Sequence, residues 1–141
     1  MIENTTRIRV RYADTDQMGF AYYANYLVWF EVGRTEMLRA IGLPYAEIEK
    51  EGVALPVLEA HCKYRKAAHY DQMLRVVSRL KESPRASLRI DYEIFDEADQ
   101  LLVEGYTTHA FINKEGRPVR PPKVFTAKLR EFFFHLKIGE E

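Results

Sequence analysis

At 141 residues, with 47% hydrophobic and 30% charged side chains, the chain has the composition of one globular domain over 1–141 and excludes a disordered or fibrous class. Its 21 basic residues balance 21 acidic ones, which excludes a global field that would concentrate it on nucleic acid or an anionic membrane, so any anionic ligand has to be met locally. The lone Cys62 excludes an intrachain disulfide framework; with a polar N-terminus, MIENTTRIRV, and no apolar run of about 20 residues, the expected setting is a reducing cytoplasm with no membrane span.

In chain order, strict alternation from Arg7 to Ala13 predicts a half-buried strand, with Ile8, Val10 and Tyr12 on the inner face. A connection dense in chemistry follows, DTDQMGFAYYANY from Asp14 to Tyr26. Helical spacing then extends from Ala21 to Ile41, with Tyr26, Phe30, Gly33, Met37 and Ile41 on one stripe and Leu27, Val28, Trp29 and Leu38 widening it. So broad an apolar surface predicts a helix buried on several sides. Gly42 supplies the stop and Pro44 blocks continuation, leaving Tyr45 to Lys50 for a further short turn of helix.

From about Leu55 to Asn113 the pattern is that of sheet. Leu58, Ala60, Cys62 and Tyr64 alternate with charged residues and His61, as do Leu74, Val76 and Leu80, and then Leu88, Ile90, Tyr92 and Ile94; Leu101 to Ile112 completes four strands. The breaks AAHYDQ, KESPRA, DEADQ and NKEGRP are short and rich in turn formers, which makes successive strands antiparallel neighbours the simplest arrangement. A short helix is expected over Val124 to Lys137. The economical assembly is α+β: a curved antiparallel sheet wrapped around one long helix, with edges and an outer face that favour oligomerisation.

The stretch DTDQMGFAYYANY, continued by EVGRTEMLRAIGLPY, resembles the 4-hydroxybenzoyl-CoA thioesterase family of hotdog-fold acyl-CoA thioesterases, in particular its bacterial branch associated with the Tol-Pal gene cluster. GVALPVLEAHCKYRKAAHYDQMLRV resembles the family's second and third strands and EGYTTHAFINKEGRPVRPP its last hairpin, so the likeness covers roughly Arg7 to Pro122. It implies a hotdog fold, an acyl-CoA substrate hydrolysed to free acid and coenzyme A, no cofactor beyond the coenzyme A of the substrate, and a homodimer assembling to a homotetramer. By position the family's catalytic carboxylate is Asp16, acting as nucleophile or as general base on water, and the backbone N–H of Tyr23 is the oxyanion donor at a helix N-terminus.

By residue type alone Asp16 is a turn or capping aspartate; the ordered combination with Gly19, the aromatic helix start and Asn25-Tyr26 is what raises it above that reading. Asp14 is expected to organise the loop by accepting backbone N–H groups, and Gly19 to provide the bend or close approach to ligand. Many members of the branch carry histidine where Tyr23 stands. A phenol with a pKa near 10 is a poor base at neutral pH, so the Tyr23 side chain is assigned to packing or hydrogen bonding in the acyl pocket. Tyr22, Tyr26, Trp29 and Phe30 are candidates to line that pocket, with plain helix core the competing reading for at least half of them.

Glu31 and Glu36 read as solvated or paired helix residues, and His61 and His109 lack the spacing of a metal site, so no metal is assigned; His69 reads as a turn residue. Coenzyme A carries several phosphate charges, and the candidates to meet them are Lys81 and Arg85 beside KESPRA and Arg117 and Arg120 in NKEGRPVRPP, each with a solvated turn charge as the blander reading. Two other functions compete: a hotdog enoyl-thioester hydratase or dehydratase, and a non-catalytic acyl-thioester-binding module.

Overall fold

A computed structural model describes residues 1–140, with side chains from 1 to 133. The elements run β1 (Ile2–Arg9), α1 (Asn25–Ala40), α2 (Tyr45–Lys50), β2 (Val57–Tyr64), β3 (Met73–Leu80), β4 (Ser87–Phe95), β5 (Leu101–Ala110) and α3 (Lys123–Glu140). The five strands form one antiparallel sheet in the order β1-β3-β4-β5-β2, and α1 packs across its inner face against β1, β2, β3 and β4.

The central strands follow their sequence pattern. Leu74, Val76 and Leu80 of β3, and Leu88, Ile90, Tyr92 and Ile94 of β4, are buried beneath α1, where Phe30 stacks on Tyr92 with ring centroids 4.3 Å apart. At the end of α1, Gly42 has φ +83°, Gly42 N–H donates to Arg39 O and Leu43 N–H to Leu38 O. This paired arrangement is a Schellman closure, and it needs the left-handed conformation that glycine adopts without strain.

Several expectations are corrected. β1 begins at Ile2 and ends at Arg9, because its whole length pairs with β3 from Ile2↔Leu80 to Arg9↔Met73; Tyr12 lies in a 3₁₀ turn and is 79% exposed. Successive strands are neighbours for β3-β4-β5 only. β2 crosses to the far edge to pair with β5, and β1 takes the place beside β3. As an edge strand β2 is covered only near Cys62, which is half-buried against the core, so Leu58 of its expected inner face is 63% exposed. α1 starts at Asn25, and its flank of Leu27, Val28 and Val32 faces outward. α3 spans 18 residues with a break at Phe133, longer than expected, and buries Phe125, Leu129 and Phe133 at i, i+4 spacing.

Candidate active site

The loop between β1 and α1 is built around two carboxylates with different partners. Asp14 is 4% exposed. Its Oδ2 accepts the backbone N–H of Arg11 at 2.8 Å, and its Oδ1 pairs with Arg11 Nη2 at 2.9 Å. Burial alone would raise its pKa, but these bonds to Arg11 outweigh it and hold the carboxyl below its ordinary range. The carbonyl of Asp14 accepts Tyr22 N–H and Asn25 Nδ2, both at 2.8 Å. Asp14 thus ties the strand end to the start of α1, and Asn25, a candidate for ligand contact, spends its amide on that tie.

Asp16 sits on the next turn, half-buried. Its backbone N–H donates to Phe20 O at 2.8 Å, Gly19 N–H donates to Asp16 O at 3.0 Å, and Thr15 bridges to Ala21. Gly19, at φ +83°, makes the reversal and has open space where a side chain would stand. Asp16 Oδ1 accepts Met18 N–H at 2.9 Å and Phe20 N–H at 3.3 Å, while Oδ2 has no partner among the described residues. One oxygen fixes the carboxylate to its own turn and the other keeps its hydrogen-bonding capacity among the described residues.

The turn preceding α1 closes with Asn25 N–H donating to Tyr22 O at 2.9 Å. Tyr23 N–H meets no acceptor among the described residues. It lies at the positive end of a 16-residue helix, an arrangement suited to an oxygen that gains negative charge. The Tyr22 and Tyr23 rings are exposed and tilted against each other at 4.8 Å. Tyr26 is instead part of the core: its ring packs edge-on against Trp29 at 5.1 Å and its Oη accepts Ala68 N–H at 3.0 Å. Phe30 and Trp29 are also core.

A residue that reads from the sequence only as one of a strand's alternating positions joins this group. Tyr64, the last of β2, donates its Oη to Tyr23 O at 3.2 Å. Nothing in local spacing announces a contact between residues so far apart in sequence.

The four basic candidates are not brought to Asp16 within one chain. The Asp16 loop runs beside residues 68–72, where Val10 N–H donates to Gln72 O and Ala21 N–H to Ala68 O, at the start of β3. Lys81 and Arg85 lie past the other end of β3, about 25 Å away along a strand rising roughly 3.3 Å per residue. Arg117 and Arg120 follow β5 at that same far end, where Ile112 bridges Pro118. Lys81 and Arg85 line a cavity of about 950 Å³ with Arg89, Asp91 and Phe133.

The histidines are elsewhere. His61 stacks on Tyr106 on the outer sheet face, with ring centroids 5.3 Å apart. His69 is exposed with its ring against Phe20 at 5.2 Å. His109 is fully buried: Nε2 is 2.8 Å from Thr107 Oγ1 and Nδ1 is 3.2 Å from Leu55 O, while Thr107 Oγ1 lies 2.8 Å from Tyr92 Oη. Since Leu55 O can only accept, Nδ1 carries the proton and Nε2 accepts from Thr107, whose oxygen accepts from Tyr92. Burial, then the Arg34 guanidinium against the ring, push its pKa down to about 4. The site is spent on structure.

A free carboxylate oxygen and a free N–H at a helix N-terminus, on a sheet curved against that helix, can now be set beside known proteins. The sequence profile of the Thioesterase-like superfamily matches residues 10–129. The chain belongs to that superfamily. It is 38% identical over 119 residues to a Bacillus subtilis (strain 168) protein named "Putative acyl-CoA thioesterase YneP", covering 84% of this chain and 86% of the relative. Among solved structures, a hypothetical protein from Thermus thermophilus superposes with TM-score 0.84 at 36% identity, covering 92% of this chain and 96% of that one. A DHNA-CoA thioesterase from Staphylococcus aureus superposes with TM-score 0.81 at 32% identity, covering 99% and 91%. The fold of this thioesterase is the hotdog fold, and among the described residues no helix is long and apolar enough to cross a membrane.

Proposed function

We propose that this thioesterase hydrolyses an acyl-CoA to the free acid and coenzyme A with Asp16 as the catalytic carboxylate and the N–H of Tyr23 as oxyanion donor, within the 4-hydroxybenzoyl-CoA thioesterase family and its Tol-Pal-associated branch. The observation that carries the reading is the pairing of two unspent groups on one loop, Asp16 Oδ2 and Tyr23 N–H. As general base, Asp16 takes a proton from the water whose oxygen attacks the thioester carbonyl carbon. The carbonyl oxygen gains charge at Tyr23 N–H; collapse breaks the carbon–sulfur bond, and the departing thiolate takes up a proton to give coenzyme A and the acid. As nucleophile, Asp16 instead forms a mixed anhydride that water then cleaves. Tyr22, Tyr23 and Gly19, exposed beside Asp16, border the entry for the acyl group.

The carrier phosphates are assigned to a second copy of the chain. β2 leaves its edge unpaired, with Val57 and Leu58 exposed and Leu27, Val28 and Val32 of α1 outward. Antiparallel pairing of two β2 edges sets the Tyr64 end of one chain beside the Val57 end of the other. The second copy's Arg117 and Arg120 then approach the first chain's Asp16, which offsets their placement at the far end of the sheet within one chain. Lys81 and Arg85 join them from the same end of the sheet, and two such dimers form the homotetramer, in a cytoplasmic setting.

Thiol release across short, long and aromatic acyl-CoAs is the direct test. Turnover that disappears in Asp16→Asn supports the reading, and an Asp16→Asn variant as active as the parent removes it. Hydration of crotonyl-CoA without thiol release would favour the hydratase alternative, and tight binding of acyl-CoA without product the binding module.

A further inference from the structure

Tyr23 occupies an exposed turn and the residue is 62% open to solvent, so core packing does little to hold its backbone in place. What fixes this residue are bonds to the two carbonyls that flank its N–H. The preceding carbonyl, Tyr22 O, shares a rigid peptide plane with Tyr23 N–H and accepts Asn25 N–H at 2.9 Å. The following one, Tyr23 O, accepts Tyr64 Oη at 3.2 Å and the backbone N–H of Tyr26 at 3.4 Å. The phenol is the closer donor of the two. The Tyr64 ring is itself steadied by edge contacts to Tyr23 at 6.4 Å and to Tyr26 at 5.4 Å, and Tyr26 is anchored in the core through Ala68.

We infer that Tyr64 is a positioning residue of the thioesterase reaction, acting through the carbonyl of Tyr23 to hold the Tyr23 N–H in the orientation that receives the thioester oxygen. The inference rests on the proposed function and adds to it a residue from the opposite edge of the sheet. Its physical basis is preorganisation: a donor aimed before charge develops costs no rearrangement in the transition state, and a donor free to swing loses that advantage. Such a residue affects the transition state and leaves ground-state binding nearly alone. The phenol remains a donor throughout the working range of pH, since loss of solvent pushes Tyr64 up to about 12.

Tyr64→Phe keeps the ring and both edge contacts and removes only the donor. With steady-state thiol release as the readout, kcat falls about 3- to 20-fold while KM stays within about twofold and the thermal midpoint within a few degrees, a split that loss of packing would not produce. An unchanged kcat overturns the inference, as does a rise in KM with kcat preserved, which would make Tyr64 a substrate contact. Asp16→Asn in the same assay separates the two levels. If Asp16→Asn is inactive and Tyr64→Phe matches the parent, positioning by Tyr64 is wrong and the thioesterase reading stands; if Asp16→Asn retains full turnover, both fall.

Discussion

The Asp16 loop and the His109 cluster are two polar constellations with opposite accounts of their hydrogen bonds. By residue type the histidine looks the better catalyst and the aspartate the better turn former. Every polar atom of His109 has a partner, from Tyr92 through Thr107 to the ring and on to Leu55 O, with Arg34 closing the remaining side. Among the described residues Asp16 keeps one oxygen and Tyr23 one N–H in reserve. Spare hydrogen-bonding capacity held rigid beside solvent is what a site needs, and a buried group cannot leave it unspent without a cost of about 1–3 kcal/mol. The same contrast separates Asp14 from Asp16 on one loop: the first is consumed by Arg11, the second by half.

Exchanging the reserve of Asp16 for an amide breaks this comparison most severely. The carbonyl oxygen of an asparagine there can still accept Met18 and Phe20 N–H, so Asp16→Asn is expected to keep its thermal midpoint while kcat falls by about 10³-fold, roughly 4 kcal/mol of barrier. Matching kinetics and melting curves on the two proteins check both halves. Next comes the histidine. Its folded pKa of about 4 lies below the 6.5 of an unconstrained ring, so the unfolded chain takes up a proton first as pH falls. Stability attributable to His109 is therefore intact above about pH 7 and is lost between 6.5 and 4, by about 3 kcal/mol. Urea midpoints for the parent and His109→Gln at pH 7 and pH 4 read that difference; the variant should show a slope shallower by this amount.

Smaller effects sharpen the contrast within the loop. Asp14→Asn removes the ion pair with Arg11 from a buried position and should cost about 2 kcal/mol by denaturant unfolding, with kcat reduced because the anchor of Tyr22 and Asn25 is loosened. Gly19→Ala places a side chain at φ +83° in open space, so only backbone strain opposes it, and a loss of about 1 kcal/mol is expected in the same measurement.

Local pattern makes much of this legible. The inner faces of β3 and β4 and the stop at Gly42 follow from periodicity and backbone chemistry, which act over a few residues. The family's motif draws attention to Asp16 among residues whose type alone suggests a turn. It also overreaches. Ending the motif groups Tyr26 with ligand contacts, yet it is buried in the core with its hydroxyl on Ala68; apolar character groups Leu27 and Val28 with the core, yet they face outward. An apolar side chain does not specify which neighbour will cover it.

The sequence by itself determined which residues of β3 and β4 alternate and where α1 stops, since each is written in contacts between near neighbours. Tertiary structure alone decided that β2 crosses to the far edge, that His109 is satisfied through Leu55, and that Tyr64 reaches Tyr23. Those outcomes depend on pairings between residues tens of positions apart, whose partners are chosen by the sheet's register and by the burial that the assembled fold makes available.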